Sequence, residues 1–275
     1  MLKTRLIPVL LLKNGVLVRS RLFSFHQLTG DPLGQVERFT SWKADELIYL
    51  NITRDGGYDS MATMSVIGSA TSHKDVLSSK VNNFADVIRC VSEKCMIPLT
   101  AGGGIRTLDD IQMLLKNGAD KVSINTKALD DSDFIKKASQ RFGSQCIVVS
   151  VDVKFNVDSG KKEVYAHFGK ESTSRDPIEW CFEVARRGAG EILLNSIDRD
   201  GTGEGYDLEL LRKVSECVNI PVIALGGVGT FEHLMEGIKI GKASAVAAAN
   251  IFHFTELSVI NAKKYMKSVG IDVRI

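Results

Sequence analysis

Eight short apolar runs alternating with amphipathic stretches, an internal repeat at about half the chain length, and a total of 275 residues together predict an α/β fold. The expected form is a (β/α)8 TIM barrel, a single domain over residues 1–275 built from two homologous half-barrels. The runs are Leu6–Leu12, Leu47–Ile52, Ile97–Ala101, Lys121–Ile124, Ile147–Val151, Glu191–Leu194, Val222–Leu225 and Ala245–Ala249. Most are rich in Val, Ile and Leu without alternation, the pattern of strands buried on both faces. The stretches between them carry helix start and stop signals. Asp109–Lys116 follows a capping Thr107 and stops before Gly118, and Asp133–Arg141 precedes Gly143. Pro177–Arg187 opens with the cap and first-turn pair Asp176-Pro177 and ends at Gly188. Leu208–Val218 follows Asp207, Phe231–Ile240 follows Thr230, and Glu256–Val269 precedes Gly270. An open doubly wound sheet is the competing fold, but no GxGxxG follows the first strand and the halves do not differ in character.

The repeat is the strongest of these signals. Glu46–Gly56 (ELIYLNITRDG) matches Glu191–Gly201 (EILLNSIDRDG) at an offset of 145. Ile97–Thr107 matches Ile220–Thr230 at an offset of 123, and Leu6–Lys13 matches Ile147–Lys154 at 141. The drop from 145 to 123 means that the first half carries 22 surplus residues between its second and third strands, within about 56–82. A polar insertion after a strand is a loop on the C-terminal face, where barrel enzymes keep their sites.

Composition removes several function classes. The chain is 44% hydrophobic and 25% charged with a net charge of +2, which excludes a disordered chain and a nucleic-acid binder. No apolar run approaches a membrane span. Leu6–Leu12 leads into Lys13-Asn14-Gly15 rather than a cleavage site, so it is not expected to be a signal peptide. Five cysteines, an odd and sparse count, suit a reducing cytoplasm.

Several residues are placed to carry chemistry. Gly102-Gly103-Gly104 follows the third strand, and Asn125-Thr126 ends the fourth. Glycines let backbone N–H groups approach an anion, and Asn and Thr add donors. The repeat places a second such cradle at Gly226-Gly227 and Asn250, with Gly201 beside it. Tight turns that need glycine for conformation alone are the alternative, and the duplication favours a ligand with a phosphate at each end. Asp152 ends the fifth strand, where a buried carboxylate suits a general acid or base. The repeat pairs it with Leu11, so two opposed carboxylates are not available. Asp198 and Asp200 are either further acids or turn and cap residues. Arg5, Glu46, Lys121 and Glu191 start strands one, two, four and six with alternating sign. Spacing alone leaves them as solvated strand ends or as a salt-bridge ring closing the barrel floor. Cys90-x4-Cys95 is not a metal pair, and nothing positions His26, His73 or His253.

AGGGI (101–105), ADKVSINT (119–126), FGSQ (142–145), RRGAGEILLNSIDRDGTGEGYD (186–207) and IFHF (251–254) closely resemble the cyclase subunit of imidazole glycerol phosphate synthase. The resemblance spans nearly the whole chain apart from the insertion. It implies a (β/α)8 barrel, no cofactor and no metal. It also implies a separate glutaminase subunit docked on the N-terminal face, with ammonia passing through the barrel to a bisphosphorylated ribulosyl aminoimidazole-carboxamide nucleotide. Under it Arg5, Glu46, Lys121 and Glu191 match the ammonia gate, and Asp120 and Gln145 match residues that couple the subunits. Gly103, Gly104, Asn125, Thr126, Asp200, Gly201, Gly226, Gly227 and Asn250 fall on the substrate face.

The family's acid–base pair is where this chain departs. Asp152 matches one aspartate, and Leu11 occupies the position of the other. Losing one such group forfeits about 10²–10⁴ in rate. Asn51, Asn195, Leu225 and Asn250 are further departures on the same face. The resemblance therefore divides into two leading expectations. One is the ordinary cyclase of histidine biosynthesis. The other, which Leu11 favours, is a paralogue that supplies ammonia for amidino-sugar formation in surface-polysaccharide biosynthesis, through a separate sugar amidotransferase. A third expectation is a non-catalytic scaffold that activates the glutaminase, and a fourth is the sister isomerase of the pathway.

Overall fold

The computed structural model of the protein describes residues 3–53, 83–253 and 258–275. The insertion at 56–82 and His73 lie outside them. Eight parallel strands close into a barrel in chain order. They are β1 (Arg5–Lys13), β4 (Leu47–Asn51), β5 (Leu99–Gly102), β6 (Lys121–Ile124), β7 (Ile147–Asn156), β10 (Glu191–Ser196), β11 (Val222–Leu225) and β12 (Ala245–Ala248). The seam closes where β12 pairs with β1, from Arg5↔Ala245 to Pro8↔Ala248.

Both faces of the barrel wall are buried, which is why its runs do not alternate. Along β1, Leu6, Leu10 and Leu12 pack outward beneath the helices. Ile7 and Val9 point inward and meet Ile48, Val148, Leu193 and Ile223. Each fully buried Leu, Ile or Val contributes about 1.5–3 kcal/mol, so the inner and outer layers both hold the wall in place.

The expected helices are present, with the expected caps. In α3 (Leu108–Lys116) the Thr107 hydroxyl accepts the Asp110 N–H at 3.1 Å, while Asp110 accepts the Thr107 N–H at 2.8 Å. Asp176 caps α6 (Pro177–Arg186) by accepting the N–H groups of Ile178 and Glu179, and Asp207 caps α7 (Leu208–Cys217). The remaining helices read from the sequence are α5 (Asp133–Phe142), α8 (Phe231–Lys239) and α9 (Ser258–Ser268). The structure adds α1 (Pro32–Ser41), capped by Asp31, α2 (Phe84–Ser92), capped by Asn83, and the short α4 (Thr126–Asp130). Buried Lys263 on α9 donates to Asp45 at 2.8 Å, and Asp45 also accepts the Leu6 N–H at 2.8 Å, so the last helix is tied to the start of the barrel. Among the described residues no helix is long and apolar enough to cross a membrane.

Two hairpins are the main difference from the sequence reading. The chain beyond β1 folds back as β2 (Val16–Arg21) and β3 (Phe25–Gly30). Beyond β7 it folds back as β8 (Lys161–Ala166) and β9 (Glu171–Ser172). These strands are interrupted by Arg, Lys, Glu and Gln, so they lack the unbroken apolar character that marks the barrel strands. Each hairpin turns through two left-handed residues: Leu22 and Phe23 (φ 52° and 56°), then His167 and Phe168 (φ 48° and 61°). The two pairs stand 145 residues apart, the offset of the internal repeat, so the hairpins are duplicated with the half-barrels. Their tips approach each other: a Cβ on Gly169 would lie 3.2 Å from the Phe23 ring.

Candidate active site at the C-terminal barrel face

A cavity of about 450 Å³ opens at the C-terminal strand ends. Its two walls differ in chemistry. Ser123, Asn125, Ser150, Asp152 and Asn195, from β6, β7, β10 and the turn after β6, form a polar wall. Val9, Leu11, Leu50, Leu225 and Ala249, from β1, β4, β11 and the end of β12, form an apolar one.

Asp152 is the centre of the polar wall. Asn125 Nδ2 donates to its Oδ2 at 2.6 Å, Asn195 Nδ2 donates to its Oδ1 at 3.0 Å, and the Ser150 hydroxyl lies 3.4 Å from Oδ1. Burial pushes its pKa up to about 6, against the pull of those three donors, and Asp200 adds a smaller upward push. A carboxyl poised there exchanges protons near neutral pH, as a general acid or base must. Leu11 lines the same cavity from β1, so the position paired with Asp152 by the repeat contributes a hydrocarbon surface.

The two glycine cradles are placed differently. Gly103, Gly104, Asn125 and Thr126 line the cavity beside Asp152. Gly103 also has a steric reason to be glycine: at φ 97° a Cβ would sit 2.1 Å from the Asn51 carbonyl oxygen. Asn125 has given its amide donor to Asp152, and its Oδ1 is buried without a partner. The Thr126 Oγ1 accepts the His167 N–H at 3.2 Å, which leaves its hydroxyl hydrogen available to donate. Gly201, Gly226, Gly227 and Asn250 are not among the residues that line the cavity. The first hairpin occupies their side, because Asn250 Nδ2 donates to the Ser20 carbonyl at 3.0 Å and Gly201 packs against the same carbonyl.

Asp198 and Asp200 act as clasps for the hairpins. Asp200 Oδ2 accepts from the Ser20 hydroxyl at 2.7 Å and from the Phe23 N–H at 3.2 Å. Burial raises its pKa, and those two bonds counter part of the rise. Asp198 Oδ2 accepts the Phe155 N–H at 2.7 Å on the second hairpin. Sequence reasoning missed Ser20, Phe23, His167 and Phe168 as cavity residues and left His26 unplaced; all five line the cavity. The paired left-handed turns are the signal for them, and those turns are not legible without the fold.

At the opposite end of the barrel the alternating charges meet. Arg5 Nη1 donates to Glu46 at 2.7 Å and to Glu191 at 2.8 Å, and Lys121 Nζ lies 3.1 Å from Glu46 and 3.2 Å from Glu191. The four side chains form a closed ring beneath the apolar interior. Burial pulls the Arg5 pKa down, but Glu191 and Glu46 outweigh it and the net direction is upward. Asp120 stands next to the ring residue Lys121 and accepts the Leu99 N–H at 2.8 Å. Gln145 is exposed just before β7. Among the described residues no group of three or more His, Cys, Asp or Glu side chains comes together as a metal site.

A family model described as histidine biosynthesis protein matches residues 75–258, two thirds of the chain. The matched span runs from the segment before α2 to the start of α9 and includes Asp152, both glycine cradles, and Lys121 and Glu191 of the ring.

Proposed function

Because the chain belongs to the histidine biosynthesis protein family, we propose that it is the synthase-type subunit of a glutamine amidotransferase complex like imidazole glycerol phosphate synthase. A glutaminase subunit docks on the face that carries the charged ring, next to Asp120 and Gln145. Ammonia enters through Arg5, Glu46, Lys121 and Glu191 and passes the apolar interior. There nothing competes to protonate it, because the lining residues Ile7, Val9, Ile48, Val148, Leu193 and Ile223 carry no ionisable group. It emerges in the cavity beside Asp152. The observation that carries this reading is the closed ring under an apolar core. Four charges drawn together from four strands need a reason, since a buried ion pair is weak evidence for stability alone.

The acceptor is a phosphorylated small molecule, held by the backbone and Thr126 at the first cradle. Ordinary cyclisation calls for two acid–base groups, and the cavity offers Asp152 opposite Leu11. The reading best supported is therefore ammonia supply to another acceptor, of the kind that makes an amidino group on an acetamido sugar for surface polysaccharide, with hand-over to a separate sugar amidotransferase. The five free cysteines suit work in a reducing cytoplasm. The test is to assay the purified protein with ammonium salt and the ribulosyl nucleotide. No turnover at the family's rate is expected, and turnover at that rate overturns this assignment in favour of the ordinary cyclase. The second reading, a working cyclase in histidine biosynthesis, is favoured by one observation: Asp152 keeps a carboxyl tuned to about pH 6 with its donors in place.

A further inference from the structure

We propose that the cavity takes a phosphomonoester whose far end is apolar, a molecule with one phosphate instead of two. This rests on the reading that the first glycine cradle holds a phosphate, and it adds what lies at the other end of the molecule. The two walls are images of each other under the internal repeat, and they differ residue by residue. The repeat matches Asp152 with Leu11, Ser150 with Val9 and Asn195 with Leu50. Leu6 pairs with Val246 as Ile147 pairs with Val122, so Asn125 matches Ala249. Asp152 and the three groups that hydrogen-bond to it therefore have a hydrocarbon image in the other half-barrel, and every member of both sets lines the cavity. Leu11, Leu50, Leu225 and Ala249 come from neighbouring strands, β11, β12, β1 and β4, and form the partly buried rim of the apolar interior. The surface they leave open is hydrocarbon, and what it can offer a bound molecule is removal of apolar area from water.

Charge follows the same division. Arg106 and Lys127 line the cavity beside Gly104 and Thr126, and among the described residues no other Lys or Arg lines it. The Arg106 N–H is taken by Asp110 at 2.9 Å, but among the described residues no group pairs with its guanidinium. A guanidinium is a planar fork that meets two phosphate oxygens at once. Lys127 lies 3.5 Å from Asp131, and Asp130 lines the same side. The side of the second cradle has no room for a matching anion. Asn250 has given its amide donor to the Ser20 carbonyl, Gly201 packs against that carbonyl, and Asp200, which lines the cavity, is an acid. A second phosphate on this side gives up its water against Leu11, Leu50 and Leu225 and gains no cation in return. A hydrocarbon end loses nothing there.

The test is calorimetric titration of the full chain with hexyl phosphate, with inorganic phosphate, and with the bisphosphate of hexanediol, which carries a phosphate at each end. Hexyl phosphate binds about tenfold or more tighter than either of the others. Arg106→Met weakens hexyl phosphate and inorganic phosphate alike, about tenfold or more, the loss of a charge-assisted hydrogen bond. Leu11→Asn and Leu50→Asn each place an amide where the wall is hydrocarbon, and each lowers the ratio of hexyl phosphate to inorganic phosphate affinity about tenfold. Leu225→Ser lowers it in the same direction and serves where those two do not fold. The proposal is overturned when the bisphosphate binds as tightly as hexyl phosphate, or when the ratio is unchanged in the folded wall variants; both outcomes leave the phosphate at the first cradle standing. Binding of none of the three overturns the phosphate reading and this inference with it. The titrations contain no ammonia, so the ammonium assay of the proposed function is judged separately.

Discussion

Replacing Arg5 by Met removes one corner of the charged ring, and the structure sets the size of the effect. Arg5 contacts two carboxylates, Glu46 at 2.7 Å and Glu191 at 2.8 Å, whose side chains are only 8% and 12% exposed. Without Arg5 the ring keeps Lys121 alone against both, and one negative charge is left uncompensated. At an effective dielectric constant of about 20, each close pair is worth roughly 4 kcal/mol before desolvation is subtracted. Breaking a buried pair by removing one partner costs about 3–5 kcal/mol. Arg5→Met is expected to lose that much in urea unfolding, and the loss should change little on adding 1 M salt, because screening acts weakly on buried pairs. Adding Glu46→Gln should recover at least about 1 kcal/mol, since Lys121 and Glu191 then balance. A loss below about 1 kcal/mol for Arg5→Met, the range of exposed ion pairs, would rule out a buried, mutually dependent ring. So would a double variant that loses the plain sum of the two single losses.

Four further outcomes follow from the structure. Asp152 has a folded pKa of about 6, above its unfolded value of about 3.9, so the folded state holds the extra proton between those values. Relative to Asp152→Asn, the parent should lose about 3 kcal/mol as pH rises from about 4 to about 7; parallel stability–pH curves for the two would contradict this. Gly103→Ala places a Cβ 2.1 Å from a backbone oxygen at φ 97° and should cost about 3 kcal/mol or more, or prevent folding. Gly160→Ala, at φ 67° with nothing within 4 Å, should cost about 1–2 kcal/mol by the same denaturation assay. Asp200→Ala releases the Ser20 hydroxyl and the Phe23 N–H, so hydrogen exchange should quicken across residues 16–30 while the β10 and β11 amides keep their protection.

Asp152 is legible in the bare chain because it ends an unbroken apolar run, Ile147–Val151, and a carboxyl at a buried strand end is conspicuous. The caps at Thr107, Asp176 and Asp207 are legible for the same kind of reason, since each interaction spans three or four residues. His26 is not. It reaches the cavity only because β3 folds back over the end of β1, and strands of mixed polarity give no clear periodic signal. Asp200 reads equally well as an acid or as a turn residue, and the choice is made by Ser20, 180 residues away in sequence. The second cradle has every residue type that a phosphate site needs, yet the first hairpin lies against it.

The wall of this protein is written in its chain. Eight apolar runs, their helices and the duplication of the halves follow from local patterning, and local patterning is set by neighbours a few residues apart. The identity of Leu11, at the position that the repeat matches with Asp152, is also plain there. What the polar residues do is a property of the folded barrel. Closing the barrel brings Arg5 and Lys121, each from a different strand, within about 3 Å of both Glu46 and Glu191, up to 186 residues away. Folding the hairpins inward turns Asp198 and Asp200 into clasps and brings His26 to the cavity. Electrostatic and hydrogen-bond partners act over a few ångströms of space, whatever their separation along the chain, so their roles are settled where the barrel brings them together.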